Sequence, residues 1–148
     1  MKRMEDAIEL RVAKSEDYDF LYALHCTTMR DYIEATWGWD EVWQQNHFKQ
    51  HFQPEANQII VLNAHEIGRV EVDYNEDGVH IGNIQILPNN QSRGVGSRVI
   101  LHIIQEAQRQ EHPVTLQVLK VNPARRFYER LGFVVEGEDD AHFKMKRA

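Results

Sequence analysis

The stretch from Ile84 to Ile104 places a strand, a glycine-containing turn and a helix in direct succession. Ile84 and Ile86 alternate with a polar residue, as in a strand, and Pro88 ends the strand because proline has no backbone N–H to donate. The helix is predicted from apolar residues at helical spacing, namely Val95, Val99, Ile100, Ile103, Ile104 and Ala107. The first N–H groups of a helix lack intrahelical partners and carry partial positive charge. This junction therefore predicts a site for an anion.

The turn contains Gly94 and Gly96, and glycine lets a phosphate approach the backbone closely, while Arg93 adds a full positive charge. A dinucleotide-type Gly-x-Gly-x-x-Gly is excluded because Val99 occupies the position of the third glycine. The nucleoside-triphosphate loop is excluded because the sequence contains no Gly-Lys-Ser/Thr. Two interpretations remain on these residues alone: a phosphate-binding turn, or an ordinary glycine turn in front of a buried helix.

Composition limits the classes of partner. The chain has 148 residues and a net charge of −6, which argues against general binding of nucleic acid or of anionic membranes. The single Cys26 cannot form an internal disulfide, which fits a reducing compartment. No apolar run approaches the ~20 residues of a membrane span, and the N-terminus has no signal-peptide pattern. We therefore expect a cytoplasmic protein with neither a nucleic-acid partner nor a membrane partner.

Hydrophobic periodicity and turn residues predict the element order β-α-α-β-β-β-α-β-α-β-β. Ser15 and Asp40 are the predicted N-caps of the first two helices. The helices are predicted over 16–36, 40–52, 94–110 and 123–132. The strands are predicted over 8–13, 58–63, 66–74, 79–87, 114–119, 133–138 and 141–146. This order predicts an α/β (α+β) fold with a mixed, mainly antiparallel central sheet and helices on both faces.

The hairpin of strands 66–74 and 79–87 has one register that separates an apolar face from a polar face. That register pairs Tyr74 with His80, Val72 with Gly82, Glu71 with Asn83, Val70 with Ile84, and Arg69 with Gln85. One pair, Asp73 with Ile81, matches poorly. The polar face is costly to bury without partners. It therefore predicts either a water-filled cleft beside the glycine turn or a solvent-exposed side of the sheet.

A second stretch, Asn122 to Phe133, is a predicted helix with a glycine stop. Asn122, then Tyr128 six residues later, then Leu-Gly-Phe resemble a motif of the GNAT superfamily of N-acetyltransferases. Gln91-x-x-Gly94-x-Gly96, after a strand that ends in Leu-Pro, resembles the acetyl-CoA pyrophosphate loop of the same superfamily. Both motifs stand in the family's order. The predicted elements extend the resemblance to nearly the whole chain, which implies a single GNAT-like domain over residues 1–148.

The resemblance implies that acetyl-CoA is the cosubstrate and that it binds in a splay between the strands 79–87 and 114–119. Backbone groups at the end of the first of these strands would hold the pantetheine and the thioester. The glycine turn would hold the pyrophosphate, and an asparagine would hydrogen-bond the cofactor arm. The residues implied in cofactor binding are Ile86, Leu87, Gln91, Ser92, Arg93, Gly94, Val95, Gly96, Ser97 and Asn122.

The resemblance also implies direct acyl transfer to an amine, without a covalent enzyme intermediate, and places Tyr128 beside the sulfur. A tyrosine with an ordinary pKa near ~10 is neutral at pH 7, so Tyr128 is predicted first to donate a hydrogen bond to the departing thiolate and second to act as an acid. No Asp or Glu occurs between Val79 and Leu87, where some relatives carry a base. The hairpin register makes Glu71, acting through water, the predicted general base, with His80 as second candidate.

The acceptor is predicted to be the primary amine of a small molecule or a peptide. The residues predicted to bind it are Trp37, Trp39, Asp40, Asn83 and Gln85; the alternatives are core packing for the tryptophans and N-capping for the aspartate. His47 and His51 share a helix face, but no His-Glu-x-x-His occurs, so we predict a surface pair and no metal site. The alternative function is a non-catalytic acyl-CoA-binding or sensing module that keeps the cofactor loop without turnover.

Overall fold

The computed structural model describes residues 7–148 and contains one sheet flanked by helices. The strands are β1 (Ile8–Val12), β2 (Asn57–Leu62), β3 (His65–Asn75), β4 (Gly78–Ile86), β5 (Val114–Leu119), β6 (Val134–Glu138) and β7 (His142–Arg147). The helices are α1 (Tyr18–Trp37), α2 (Glu41–His51), α3 (Val95–Arg109) and α4 (Arg125–Arg130). The sheet order is β1-β2-β3-β4-β5-β7-β6; β4 and β5 are parallel, and the other neighbours are antiparallel. The predicted mixed, mainly antiparallel fold is confirmed.

The main core lies between the sheet and α3. The six apolar residues that predicted this helix are its six buried residues. They pack against buried side chains of the sheet, among them Ile60, Val70, Ile81, Leu116 and Met145, and each fully buried side chain of this kind contributes roughly 1.5–3 kcal/mol. This packing fixes the position of the N-terminus of α3, and therefore of the glycine turn in front of it.

The opposite face of the sheet is covered by α1 and α2. Ile59, the neighbour of Ile60 in β2, packs there with Leu21 of α1 and against Phe48 of α2. Asp40 caps α2 as predicted, because its Oδ1 accepts the N–H of Trp43 at 3.0 Å. Helices on both faces of the sheet are thus confirmed.

The start of α1 differs from its prediction. Ser15 does not cap α1 but lies in a 3₁₀ turn over Ser15–Asp17. Asp17 closes this turn by accepting the N–H of Lys14 at 2.8 Å and the Nη1 of Arg11 at 2.9 Å. The hydrogen bond from Arg11 is the main cause that lowers the pKa of the Asp17 carboxyl. Because this turn comes first, α1 begins at Tyr18 rather than at residue 16.

The polar face of the hairpin borders a cleft only in part: Asn83 and Gln85 line open spaces, whereas Arg69 is buried. Arg69 is 4% exposed and Gln85 is 3% exposed. The Nε of Arg69 donates to Oε1 of Gln85 at 2.8 Å, its Nη1 donates to Oδ1 of Asn57 at 3.0 Å, and its guanidinium lies 5.4 Å from the centroid of the Phe48 ring. Burial lowers the pKa of Arg69. The buried cation is therefore held by amides and by a ring from α2.

The predicted hairpin register is right for one half and wrong for the other. Arg69 pairs with Gln85, Val70 with Ile84, and Glu71 with Asn83, as predicted. Beyond Glu71 a bulge shifts the register, so that Val72 pairs with Ile81, Asp73 with His80, and Tyr74 with Val79. Gly82 is the extra residue of β4 at this bulge. A bulge bends its strand and redirects the side chains beside it.

The parallel pairing of β4 and β5 is short. It runs from Val79 opposite Val114 to Ile81 opposite Leu116 and ends there. The last pair precedes the bulge at Gly82, so β4 leaves β5 where its register changes. The two strands consequently diverge toward the glycine turn, and the divergence opens the sheet between its fourth and fifth strands.

Gly68 of β3 is required for the close approach of β4. A Cβ atom on Gly68 would overlap the carbonyl oxygen of Gln85 and would lie 3.1 Å from the Cα of Ile86. Because both atoms belong to the backbone, Gly68→Ala should lower the free energy of unfolding by about 1–3 kcal/mol or more, measured by chemical denaturation. Gly137→Ala in β6 is the matched control, since nothing lies within 4 Å of its Cβ position. Equal stability of the two variants would contradict the prediction.

Candidate active site

Two connected spaces occupy the gap between the diverging strands. The larger groove has a volume of about 550 Å³ and lies between α1, the end of β4, the glycine turn and the start of α4. The smaller cavity has a volume of about 240 Å³ and lies between α1, β4, β5 and the first residue of β7. Met29, Ile84, Asn122 and Tyr128 line both spaces. The groove and the cavity therefore meet at Tyr128.

The glycine turn presents unpaired backbone donors at the larger groove. The first hydrogen bond of α3 runs from the N–H of Arg98 to the carbonyl oxygen of Gly94 at 3.1 Å, so the N–H groups of the preceding three residues have no partner within the helix. Gly94 has φ 78° and Ser92 has φ 64°, and such left-handed residues turn successive N–H groups toward one point. Gln91 closes the turn, because its Nε2 donates to the carbonyl oxygen of Ile86 at 2.8 Å. The arrangement suits an anion.

The residues predicted to hold the cofactor fall into two sets. The larger groove is lined by seven of them: Ile86, Gln91, Ser92, Gly94, Gly96, Ser97 and Asn122. Three others do not line it. Val95 is buried in the main core, the N–H of Leu87 donates to the carbonyl oxygen of Ile67 at 2.8 Å, and Arg93 is exposed. These three can contribute only through remaining backbone groups or, for Arg93, through its charge.

Tyr128 of α4 is 8% exposed, and burial raises its pKa to about 12. Burial is the only cause of this rise, so no neighbouring charge or hydrogen bond contributes to it. The ring packs edge-on against the rings of Phe127 and Phe133, with distances between ring centroids of 5.2 Å and 5.9 Å. Tyr128 is thus a neutral hydroxyl on a fixed ring.

Asn122 fixes the entry to α4, because its Oδ1 accepts the N–H of Ala124 at 2.9 Å.

A family model described as the acetyltransferase (GNAT) domain matches residues 55–135, which is 81 of the 148 residues. The chain belongs to the GNAT family. The resemblance drawn from the two sequence motifs is therefore confirmed. As a GNAT N-acetyltransferase, the protein is an acetyl-CoA-dependent enzyme, and acetyl-CoA is its cosubstrate. A search among curated proteins found no match.

Solved structures support the fold. The chain superposes on the PaiA N-acetyltransferase from Thermoplasma acidophilum, in complex with coenzyme A, with a TM-score of 0.78 and 16% identity, over 95% of this chain and 98% of that one. It superposes on the ribosomal-protein-S18-alanine N-acetyltransferase from Escherichia coli with a TM-score of 0.69 and 17% identity, over 97% and 93%. It superposes on Naa50 from Arabidopsis thaliana, in complex with the bisubstrate analogue CoA-Ac-MVNAL, with a TM-score of 0.64 and 16% identity, over 95% of this chain and 98% of that one. Among residues 7–148, no helix is long and apolar enough to cross a membrane.

Neither of the two predicted bases of this GNAT enzyme lines the groove or the cavity. Oε1 of Glu71 accepts the Nδ2 of Asn83 at 2.8 Å, and Asn83 lines the smaller cavity while Glu71 does not. A Cβ on Gly82 would lie 2.9 Å from Oε1 of Glu71, so the glycine makes room for this carboxylate. His80 lies in the paired part of the parallel strands, with its Nδ1 2.8 Å from Oγ1 of Thr115, and lines neither space.

The predicted acceptor residues do not all converge on one space. Trp37 and Asn83 line the smaller cavity, whereas Gln85 lines the larger groove. Trp39 and Asp40 line neither. Trp39 is engaged elsewhere, because its ring lies 5.2 Å from the guanidinium carbon of Arg30 and its Nε1 donates to Oε1 of Glu41 at 3.4 Å. The predicted side chains that reach the smaller cavity are thus an aromatic ring from α1 and an amide from β4.

Sequence reasoning missed two histidines that line the smaller cavity. His25 comes from α1; its Nε2 lies 3.0 Å from Oε1 of Gln44, and burial lowers its pKa. His142 is the first residue of β7. Neither stands in a recognisable motif, and both arrive through tertiary packing.

Proposed function

We propose that this enzyme transfers the acetyl group of acetyl-CoA to the primary amine of a small molecule or a peptide by direct attack. The observation that carries the proposal is the position of Tyr128, where the larger groove meets the smaller cavity. In this proposal the larger groove holds acetyl-CoA and the smaller cavity holds the amine. The neutral hydroxyl of Tyr128 acts where the two spaces meet. We propose further that the whole chain forms this one catalytic domain and works in the cytoplasm.

The larger groove fits acetyl-CoA by the chemistry of its donors. The unpartnered N–H groups at the start of α3 suit the doubly charged pyrophosphate, and the helix dipole adds to this attraction. The cofactor supplies an acetyl group activated as a thioester. Asn122 has its Oδ1 occupied by the N–H of Ala124, so its Nδ2 is the atom left to donate to the cofactor arm. Exposed Arg93 contributes charge at the mouth of the groove.

Tyr128 acts as a hydrogen-bond donor to the sulfur that leaves, not as a proton donor. With its pKa raised to about 12 and an ordinary thiol pKa of ~8.5, full proton transfer to a thiolate is uphill by about 5 kcal/mol. A hydrogen bond carries no such cost and strengthens as negative charge develops on the sulfur. The proton that completes the free thiol therefore comes from the substrate nitrogen.

Glu71 serves as a base through water in this proposal. Its carboxylate accepts a hydrogen bond from Asn83, which lines the cavity, so a proton from the cavity reaches it through a water molecule. Glu71→Gln keeps the size of the side chain and its contact with Asn83 but removes the proton acceptor. Turnover at pH 7 should fall about 10-fold, and the loss should shrink at high pH because more of the amine is already deprotonated. Steady-state rates of thiol release between pH 6 and pH 10 measure this.

Glu76→Gln is the matched control, because Glu76 is exposed in the turn between β3 and β4 and should show wild-type rates. A pH-independent loss in Glu71→Gln would assign Glu71 to positioning of Asn83. Wild-type turnover at every pH would remove Glu71 from the mechanism.

The test of the proposed function is thiol release from acetyl-CoA over a panel of amines. The net charge of −6 favours cationic acceptors, so the panel includes lysine and diamines. Peptides with free N-terminal alanine or methionine belong in it because two structural neighbours carry such acceptors in their names. Amine-dependent thiol release, with a matching mass gain of one acetyl group, supports the proposal. Tight binding of acetyl-CoA without turnover of any amine would favour the non-catalytic acyl-CoA-binding module instead.

A further inference from the structure

His142 projects from the edge of the diverging strands into the smaller cavity. It lines this cavity together with Asn83 and Tyr128, and its side chain is 26% exposed. In the sheet it pairs with Leu119 of β5, beyond the last residue at which β5 pairs with β4. The imidazole therefore lies in the space that the proposed function gives to the amine.

Asp139 holds the imidazole of His142 in one orientation. Its Oδ1 lies 3.2 Å from Nδ1 of His142 and also accepts the N–H groups of Ala141 at 2.9 Å and of His142 at 2.7 Å. These backbone hydrogen bonds are the main causes that lower the pKa of Asp139. A carboxylate only accepts hydrogen bonds, so neutral His142 must carry its proton on Nδ1. The lone pair is then on Nε2.

Trp37 packs against His142. Its ring centroid lies 5.8 Å from that of His142, and Trp37 also lines the smaller cavity. The imidazole thus contacts both a carboxylate from the β6–β7 loop and a ring from the end of α1. An imidazole with its Nδ1–H on a fixed carboxylate and a free Nε2 is the arrangement by which proteins build a general base.

We propose that Nε2 of His142 accepts a proton from the acceptor amine, that this proton then leaves by way of water and Glu71 so that the two groups act in series, and that Asp139 is the positioning residue of His142. The inference rests on the proposed function. The ammonium group of the acceptor gives one proton to Nε2, which later releases it by way of water and Glu71. The freed lone pair forms the N–C bond with the acetyl carbonyl, the C–S bond breaks, and the second proton of the nitrogen ends on the departing thiolate as free thiol.

The other titratable groups near the cavity are less suited to this step. Nε2 of His25 is engaged with Gln44, and burial lowers the pKa of His25, which weakens it as a base. Tyr128 stays neutral. On the outer side of the β6–β7 loop, Lys120 pairs with Glu138 at 3.6 Å, which balances the charge there. Asp139 is left as the charged partner of His142.

The test compares His142→Gln and Asp139→Asn with His102→Gln, an exposed histidine of α3 outside both spaces. At saturating amine, His142→Gln should lower kcat at pH 7 by about 10²-fold and move the acidic limb of the pH profile to higher pH, toward the pKa of the amine, while the affinity for acetyl-CoA stays within two-fold. Asp139→Asn should lower kcat several-fold and change that limb. His102→Gln should match wild type. An unchanged acidic limb in His142→Gln, or a limb that only Glu71→Gln shifts, would overturn the proposal.

A second measurement does not depend on turnover. Imidazole ¹⁵N shifts of His142 in the wild-type protein at pH 8.5 should report the Nδ1–H tautomer, and Asp139→Asn should redistribute it toward Nε2–H. A dominant Nε2–H tautomer in the wild-type protein would overturn the assignment even if no amine is turned over. Absence of wild-type turnover over the whole panel, with the Nδ1–H tautomer present, would count against the proposed function rather than against the Asp139–His142 pair.

Discussion

Tyr128→Phe should lower turnover by about 10²-fold while leaving the affinity for acetyl-CoA within a few-fold. Only the hydroxyl is lost, and the ring keeps its packing against Phe127 and Phe133, so the fold and the larger groove are retained. The loss arises because the hydroxyl donates more strongly to a developing thiolate than to a thioester. Single-turnover rates of thiol release measure it under conditions where chemistry limits the rate.

The pH dependence of this variant separates hydrogen bonding from proton donation. With a pKa raised to about 12 by burial, Tyr128 remains neutral from pH 6 to pH 10, so the loss should be constant over that range. The raised pKa also means that ionisation of Tyr128 begins to lower the stability of the fold once the pH exceeds ~10, the ordinary pKa of tyrosine, and lowers it further up to about pH 12. Tyr74→Phe is the matched control, since Tyr74 is 62% exposed at the end of β3. Wild-type turnover in Tyr128→Phe would leave Tyr128 as a packing residue.

The hairpin shows how far sequence patterning reaches and where it stops. Alternation predicted which residues of β3 and β4 pair near the glycine turn, because apolar and polar faces must separate there. The poor match of Asp73 with Ile81 was the signal of a bulge, and the bulge at Gly82 removes it by pairing Asp73 with His80. A bulge leaves one residue of a strand unpaired. Its position depends on how the neighbouring strands of the sheet diverge, and the alternation of apolar and polar residues within two strands carries no information about that divergence.

The polar face of the hairpin shows a second limit. The residues were identified correctly, but their environment depends on α2, which is distant in sequence. Arg69 is buried because Phe48 of α2 covers it and because Asn57 and Gln85 supply oxygen atoms. Sequence reasoning missed His25 and His142 for the same reason. A single histidine outside any motif can be assigned a role only when the fold shows which residues lie beside it.

Gly96→Asp should abolish most of the binding of acetyl-CoA. Gly96 lies in the first turn of α3 and lines the larger groove, among the backbone donors proposed to hold the pyrophosphate. A new carboxylate there repels a doubly charged group in a partly desolvated site, where charges a few ångströms apart interact by roughly 4 kcal/mol. Even a fraction of this repulsion weakens binding by about 10²-fold or more. Calorimetric titration with acetyl-CoA gives the dissociation constant.

The backbone at Gly96 makes this variant a clean experiment. Its φ is not in the left-handed region, unlike that of Gly94, and a Cβ would meet only Ile86 Cδ1 and Phe127 Cζ, both at 3.5 Å, which is ordinary contact. Gly96→Ala should therefore fold, and it measures the effect of added bulk without added charge. Raising the salt concentration should recover part of the affinity that Gly96→Asp loses, because salt screens the repulsion between charges. The affinity of Gly96→Ala relative to wild type should not change with salt, because this variant adds bulk without charge. If a folded Gly96→Asp bound acetyl-CoA as tightly as Gly96→Ala, the pyrophosphate would have to lie elsewhere than at the N-terminus of α3.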